Sequence, residues 1–419
     1  MNSLKLLELL KTIIHSPQVL ISARKDKKAF IRKRKMPFNR ALCFLLDMRT
    51  TTLQTRLNAF FQQHGGEPIS QQAFSKLRAN FNHSPFETML RTLVKKEYSG
   101  ESVLSTWNDY HLLSVDGSYL QLPRVEELRK VFGLRDGSTC PHAGISALFD
   151  VLHGWVLDPI VTDGCMNERT QFEKHMDFLS REFPDIAKKT IFLCDRGYPS
   201  QELFQQMQEK GFRFVARCAS QFLKPINTAP MGDSVVVLRL PAGEAGNGVS
   251  VRIIKFFLNN GDIETLATNL FDVPMDDIIE LYTLRWDIET MYFKFKRELC
   301  VEKFSGKTAN SIRQDFWASM VLLNSVAVFQ KEADLAVFER QKDNSPKYEY
   351  RARTSDLIIT LRDRLIFAAL CGDSVLYEKE MKEIIKTLAR AVSPVRKGRS
   401  FPRIFKPYYR VNHNLSSHL

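Results

Sequence analysis

Residues 189–220, KTIFLCDRGYPSQELFQQMQEKGFRFVARCAS, place two short apolar strands around one amphipathic helix that closes on glycine. Strand, helix and strand in so short a span predict a parallel pair joined by a right-handed crossover. The unbroken apolar run in the first strand suits a strand covered on both faces. Upstream, HLLSVDGSYLQLP (111–123), HAGISALFDVLHG (142–154) and WVLDPIVTDG (155–164) are strand-like, the last two close enough for a hairpin. NERTQFEKHMDFLSREF (167–183) is an amphipathic helix with Asn167 as a candidate cap. These elements predict an α/β fold with a mixed sheet.

The flanks differ. Residues 1–100 are predicted helical and form one region; 101–338 is the core, and 339–419 is helical and then basic. Within the core, 221–270 turns to alternating strands (SVVVLRL, VSVRIIKFFLNN, DIETLATNL), with a turn at Asn260-Gly261 between the last two, and is expected to form a small all-β insertion. A long amphipathic helix is expected over 311–338.

The formal net charge of +13 favours a polyanionic partner. The run SARKDKKAFIRKRK (22–35) carries eight positive charges against Asp26, and VRKGRSFPRIFKPYYR (395–410) mixes cations with aromatics. Either is a solvated charged stretch or a DNA contact. QAFSKLR (72–78) offers Lys76 and Arg78 for phosphate or base-edge contacts, or a plain surface helix. No apolar run reaches the ~18–20 residues that span a bilayer, so no membrane partner is expected. The seven cysteines lie at no metal-ligand spacing and the nine histidines form no zinc pattern, which predicts reduced thiols in a cytoplasmic protein.

Two aspartates sit where carboxylates are costly. Asp116 lies within an apolar strand and is followed by glycine; Asp195 closes the apolar strand FLCD. Taken singly, each suits a turn or a cap. Together, at the strand ends where open α/β sheets bind their ligands, they suit oxygen ligation of a hard divalent cation. A third carboxylate, Glu289, lies in LYTLRWDIETMYFKFK (281–296). On one continuous helix over about 275–300, Tyr282, Arg285, Glu289 and Lys296 fall within roughly 60° of each other, along about 21 Å. An apolar stripe of Leu281, Leu284, Ile288, Met291, Phe295 and Leu299 runs beside them. Glu289 by itself suits an ordinary ion pair with Arg285.

Asp116, Asp195 and Glu289 resemble the Asp-Asp-Glu triad of DDE transposases. Tyr-x2-Arg-x3-Glu-x6-Lys, filled by Tyr282, Arg285, Glu289 and Lys296, is similar to the signature of the bacterial insertion-sequence-four type. DRGY (195–198) and the β insertion also fit, over roughly 110–320, with weaker similarity in QAFSKLR. The resemblance implies a ribonuclease-H-like core. It also implies two Mg²⁺ ions, with Mn²⁺ as a substitute, held by Asp116, Asp195 and Glu289.

The activity it implies is cut-and-paste transposition on double-stranded DNA. A homodimer synapses the terminal inverted repeats, nicks them, passes through a hairpin and joins the ends to target DNA. Arg285 and Lys296 hold the terminal phosphate while Tyr282 orders that strand. Well-studied members stack a flipped base on a tryptophan of the insertion; 221–270 contains none, which leaves Phe256 or Phe257 for that role. The main alternative is a domesticated, non-cutting protein that binds terminal repeats.

Overall fold

The computed structural model describes residues 1–32, 34–47, 51–100, 104–135, 137–163, 166–238, 248–342, 348–370 and 374–395. It forms two compact units. One contains 103–119 and 143–292; the other contains 1–102, 120–142 and 293–419. The helical regions at the two chain ends therefore fall in the same unit.

The first unit is built on a sheet that has, among the described residues, eight strands: β1 (His111–Gln121), β2 (His142–Asp150), β3 (Trp155–Thr162), β4 (Thr190–Cys194), β5 (Arg213–Arg217), β6 (Gly232–Leu238), β7 (Val249–Phe257) and β8 (Ile263–Thr268). Their order across the sheet is β3-β2-β1-β4-β5-β8-β7-β6. The predicted hairpin is β2–β3. Asp150 Oδ1 accepts from the amides of Leu152 and His153, and Gly154 takes φ +74° to complete the turn.

β4 pairs in parallel with both β1 and β5, and all five of its residues are buried, as the unbroken apolar run predicts. The helix Gln201–Glu209 makes the β4–β5 crossover and packs Leu203, Phe204 and Met207 inward. Phe204 stacks on Phe214 of β5 with ring centroids 4.7 Å apart.

The three strands of the β insertion do not stand apart from this sheet. β8 pairs antiparallel with β5, and β7 and β6 follow it, so the insertion extends the core sheet at one edge. The Asn260-Gly261 turn forms as expected, with Gly261 at φ +85° and Asn260 Oδ1 accepting from the Asp262 amide. Residues 239–247 of the insertion lie outside the described residues.

The second unit is helical, with the helix Ala309–Gln341 at its centre. Thr308 and Ser311 cap that helix reciprocally, and most of its first half is buried. The helices Ser3–Ile14, Phe38–Leu46 and Ser84–Tyr98 pack on it, as does Thr354–Leu370. Residues 396–410 of the expected basic tail and Lys33 of the expected basic run lie outside the described residues.

Arg78 departs from expectation here. Instead of presenting a cation at the surface, the helix Gln71–Arg78 buries it. Its Nη2 pairs with Asp315 Oδ1 at 2.9 Å and donates to the Ser311 carbonyl; Nε donates to Gln314 at 2.9 Å and Nη1 to Ser305 at 2.8 Å. The guanidinium therefore serves the packing of this unit and is not open to a phosphate. Arg78→Ala leaves the buried Asp315 without its counter-ion and is expected to cost about 3–5 kcal/mol. Denaturant unfolding checks this; a loss below about 1 kcal/mol would remove the structural role.

Candidate active site

β1 and β4 pair with a fixed register: His111 opposite Thr190, Leu112 opposite Ile191, Leu113 opposite Phe192 and Ser114 opposite Leu193. The offset is 190 − 111 = 79 residues, and 195 − 116 gives the same offset of 79. The ladder ends at Ser114, and Asp195 follows directly after the end of β4; the shared offset matches it to Asp116, and the charge of Asp195 is felt at the Asp116 carboxyl. The Gly117 amide donates to Asp116 Oδ1 at 2.8 Å. Asp195 Oδ1 is buried and without a hydrogen-bond partner among the described residues.

A further carboxylate, not anticipated from the sequence, joins these two. Glu168 opens the helix Glu168–Glu182, capped by Asn167. A Cβ added at Gly117 would lie 3.0 Å from Glu168 Oε1, and one added at Gly197 would lie 3.3 Å from Glu168 Oε2. The glycines of SVDGS and CDRG thus leave room for this carboxylate between the two aspartate segments. Acidic residues in a first helical turn are common because the helix dipole favours them, so NERT reads as an ordinary helix start. Only its place beside the aspartates marks Glu168.

Electrostatics reflect this crowding. Burial, then the neighbouring Glu168 and Asp195 charges, push Asp116 up to about 7, while the Gly117 amide and Arg285 pull the other way. Burial and Asp195 raise Glu168 as well. The Arg285 guanidinium is the cation that draws the Asp116 carboxyl back down.

The expected single helix over 275–300 is in fact broken twice. An α-helix spans Met275–Thr283 and a second spans Trp286–Phe293; a π-helix follows over Lys294–Glu298. At the first break the chain tightens to i→i+3 bonds: the amides of Leu284, Arg285, Asp287 and Ile288 reach the carbonyls of Leu281, Tyr282, Leu284 and Arg285. At the second, the Leu299 amide bonds the Lys294 carbonyl at 2.9 Å. The apolar stripe is buried apart from Leu284, which is half-buried. The even angular drift that aligns Lys296 with Tyr282 does not survive these changes of pitch. Lys296 also belongs to the other unit.

Tyr282 and Arg285 are buried, so neither is a surface phosphate contact in this arrangement. Arg285 Nη2 donates to Glu289 Oε1 at 3.0 Å, and its guanidinium lies over the Trp286 ring at 4.9 Å from the centroid. Burial opposes the Arg285 charge, yet Tyr282, Asp195 and Glu289 hold its pKa above the ordinary value. Glu289 has 37% of its side chain exposed. Nearby, Arg217 Nε pairs with the buried Glu264 at 2.7 Å. Lys76 is exposed and Lys296 half-buried, both in the helical unit. Phe257 ends β7 with 66% exposure, and Phe256 is half-buried.

The oxygen-only donors and the orphaned Asp195 oxygen suit a hard divalent cation. Among the described residues, however, no three Asp, Glu, His or Cys side chains stand together closely enough to hold one as placed. The five described cysteines, Cys43, Cys140, Cys194, Cys218 and Cys300, form no disulfide.

Residues 107–325, just over half of the chain, match the family model described as the transposase DDE domain. This chain belongs to the DDE transposases. It is 22% identical over 320 residues to transposase InsG of insertion sequence element IS4 from Escherichia coli K12, covering 72% of this chain and 68% of InsG, in agreement with an IS4-type transposase. It is 27% identical over 147 residues to y4zB, a provisionally named transposase of Sinorhizobium fredii, covering 32% of this chain and 41% of that protein. The match thus spans less than half the length of y4zB.

Among solved structures, the piggyBac transposase in a synaptic complex with hairpin DNA aligns with a TM-score of 0.50 and 10% identity, over 90% of this chain and 85% of that one. That likeness concerns the fold, which is ribonuclease-H-like with a mixed sheet. DDE transposases in general use divalent metals. No described helix of this transposase is long and apolar enough to cross a membrane.

The raised Asp116 carboxyl has a consequence for stability. Its proton is kept by the folded state between the ordinary 3.8 and about 7. The associated stability is complete below pH ~4 and is lost as pH rises through about 7. Asp116→Asn, always neutral, should therefore raise the melting temperature of metal-free protein, and more so at pH 8 than at pH 5. Thermal melts at the two pH values test this; equal shifts would mean that Asp116 is not raised.

Proposed function

We propose that this chain is a cut-and-paste DNA transposase, cleaving the ends of an insertion sequence and joining them to target DNA. The observation that supports the reading is the β1–β4 offset that matches Asp116 to Asp195, together with the Asp195 charge felt at Asp116, within the segment that matches the transposase DDE domain. Asp116, Asp195 and Glu289 would hold two Mg²⁺ ions, or Mn²⁺ in their place. Bound there, such ions supply Lewis acidity at a phosphodiester and lower the pKa of the attacking hydroxyl.

The protein's own groups do the positioning. Arg285 holds Glu289 through its hydrogen bond and faces Asp195, which keeps the carboxylates poised in a largely buried setting. Tyr282 packs behind it. Lys296 and the exposed Lys76 contact the phosphates of double-stranded DNA, both at the terminal inverted repeats and along target DNA. In each transfer the attacking oxygen loses its proton and bonds to phosphorus while the bond to the leaving oxygen breaks. Water as attacker frees a 3′-hydroxyl at the element's end. That hydroxyl then attacks the opposite strand to give a hairpin and, after the hairpin is reopened by water, attacks the target. The exposed ring of Phe257 offers a stacking face for an unpaired base. The protein acts as a homodimer in the bacterial cytoplasm, at the nucleoid.

Asp116→Asn, Asp195→Asn and Glu289→Gln should each reduce Mg²⁺-dependent nicking of a labelled terminal-repeat duplex to background, with duplex binding retained in mobility-shift assays. Substantial cleavage by one variant would exclude that residue as a ligand. Tight end binding with no cleavage by the parent chain would favour the non-cutting repeat-binding protein. Lys296→Ala should flatten the dependence of log K on log salt by about 0.9, as expected for one lost phosphate contact; an unchanged slope returns Lys296 to a packing role.

A further inference from the structure

The strand that carries Asp116 and the helix that carries Glu289 are joined by a direct hydrogen bond. Tyr292 donates its hydroxyl proton to the Asp116 carbonyl oxygen at 2.7 Å, across 176 residues of sequence. The distance lies at the usual value for an O–H···O bond, and the ring is buried. Tyr292 follows Glu289 by three positions on the helix Trp286–Phe293, so the two side chains are neighbours on its surface. The β1–β4 ladder closes at Ser114 opposite Leu193, two residues short of Asp116. Past that point, on the side away from β2, the Tyr292 side chain takes the place of β4 as a partner of the main chain at the carboxylate.

A second polar chain approaches the same carbonyl. Asp158 Oδ2 lies 2.7 Å from His175 Nδ1, His175 Nε2 lies 3.0 Å from Ser146 Oγ, and Ser146 Oγ lies 3.5 Å from the Asp116 oxygen. Of the two contacts to this carbonyl, the Tyr292 bond at 2.7 Å is the short one, and the Ser146 hydroxyl stands 0.8 Å farther off at 3.5 Å.

We infer that Tyr292 is a positioning residue of the phosphoryl-transfer site, its hydroxyl fixing the main chain at Asp116 and with it the spacing of the Asp116 and Glu289 carboxylates. This rests on the proposed transposase chemistry at Asp116, Asp195 and Glu289. Carboxylates that share one cation repel each other in its absence, so a bond between their two segments that needs no cation limits how far those segments separate. Groups that orient metal ligands from behind typically contribute about 10–100-fold to metal affinity or activity.

The test uses the full chain with Tyr292→Phe, which keeps the ring and removes the donor. Mn²⁺ binding is read from the paramagnetic resonance of free Mn²⁺, and terminal-repeat nicking is measured across a Mg²⁺ titration. Melting and duplex binding are followed in parallel. The expected result is a fall of about 10–100-fold in Mn²⁺ affinity and in nicking at limiting Mg²⁺, with melting and duplex affinity close to the parent. Excess Mg²⁺ should recover part of the rate, and Tyr292→His, which retains a ring donor, should recover part of the affinity. Mn²⁺ affinity and nicking equal to the parent would overturn the inference. So would a variant that does not fold, or one that loses melting temperature and duplex affinity together, since either marks Tyr292 as a packing residue. Asp116→Asn serves as the control: if it still nicks, Asp116 is not a ligand and the proposed site fails there, whereas an inactive Asp116→Asn beside a normal Tyr292→Phe defeats the positioning role alone.

Discussion

The register between β1 and β4 is the constraint on which the rest of the candidate site depends. A one-residue slip would move Asp116 to the other face of the sheet and leave Asp195 by itself. The slip is resisted by the fully buried strand β4 and by Ser114, whose hydroxyl donates to the Leu193 carbonyl at 3.0 Å. Apolar packing on both faces of the sheet thus specifies where two unfavourable charges must sit.

That placement is costly, and the surroundings show how the cost is contained. Gly117 and Gly197 let Glu168 approach, which adds a third acid to a half-buried cluster. One buried guanidinium, Arg285, faces the acids from the break between two helices. A helix that ran unbroken through Leu284 and Arg285 would keep a constant 100° step per residue. The tightened i→i+3 turn changes that step where Arg285 leaves one helix and Glu289 rides on the next. Changes of helical pitch of this kind often mark functional segments. Tyr292 then closes the loop of constraints by bonding the second helix back to β1.

Much of the fold was legible in the residues. The apolar run of β4, the glycine after the crossover helix, the Asn260-Gly261 turn and the long helix at 309–341 each follow from local patterning, because each rests on neighbours in sequence. The candidate site was proposed through its motif: Asp116 and Asp195 were marked as acids in apolar segments, and Glu289 by its spacing from Tyr282, Arg285 and Lys296. Glu168 was not, since an acid in a first helical turn has an ordinary local explanation. Arg78 misled for the converse reason. A cation on a polar, half-exposed helix reads as surface, and the acid that buries it, Asp315, lies 237 residues away.

The sequence by itself determined most of the elements and the family, because side-chain periodicity, turn chemistry and motif spacing are local properties. Tertiary structure alone decided three things. The insertion strands extend the main sheet, a π-turn follows the helix of Glu289, and Arg285 and Arg78 are buried on acids and not held out in solvent. The sheet extension and the Arg78–Asp315 pair depend on which groups meet after long loops have closed. A charged side chain takes its environment from those partners, and its position in the chain does not specify them.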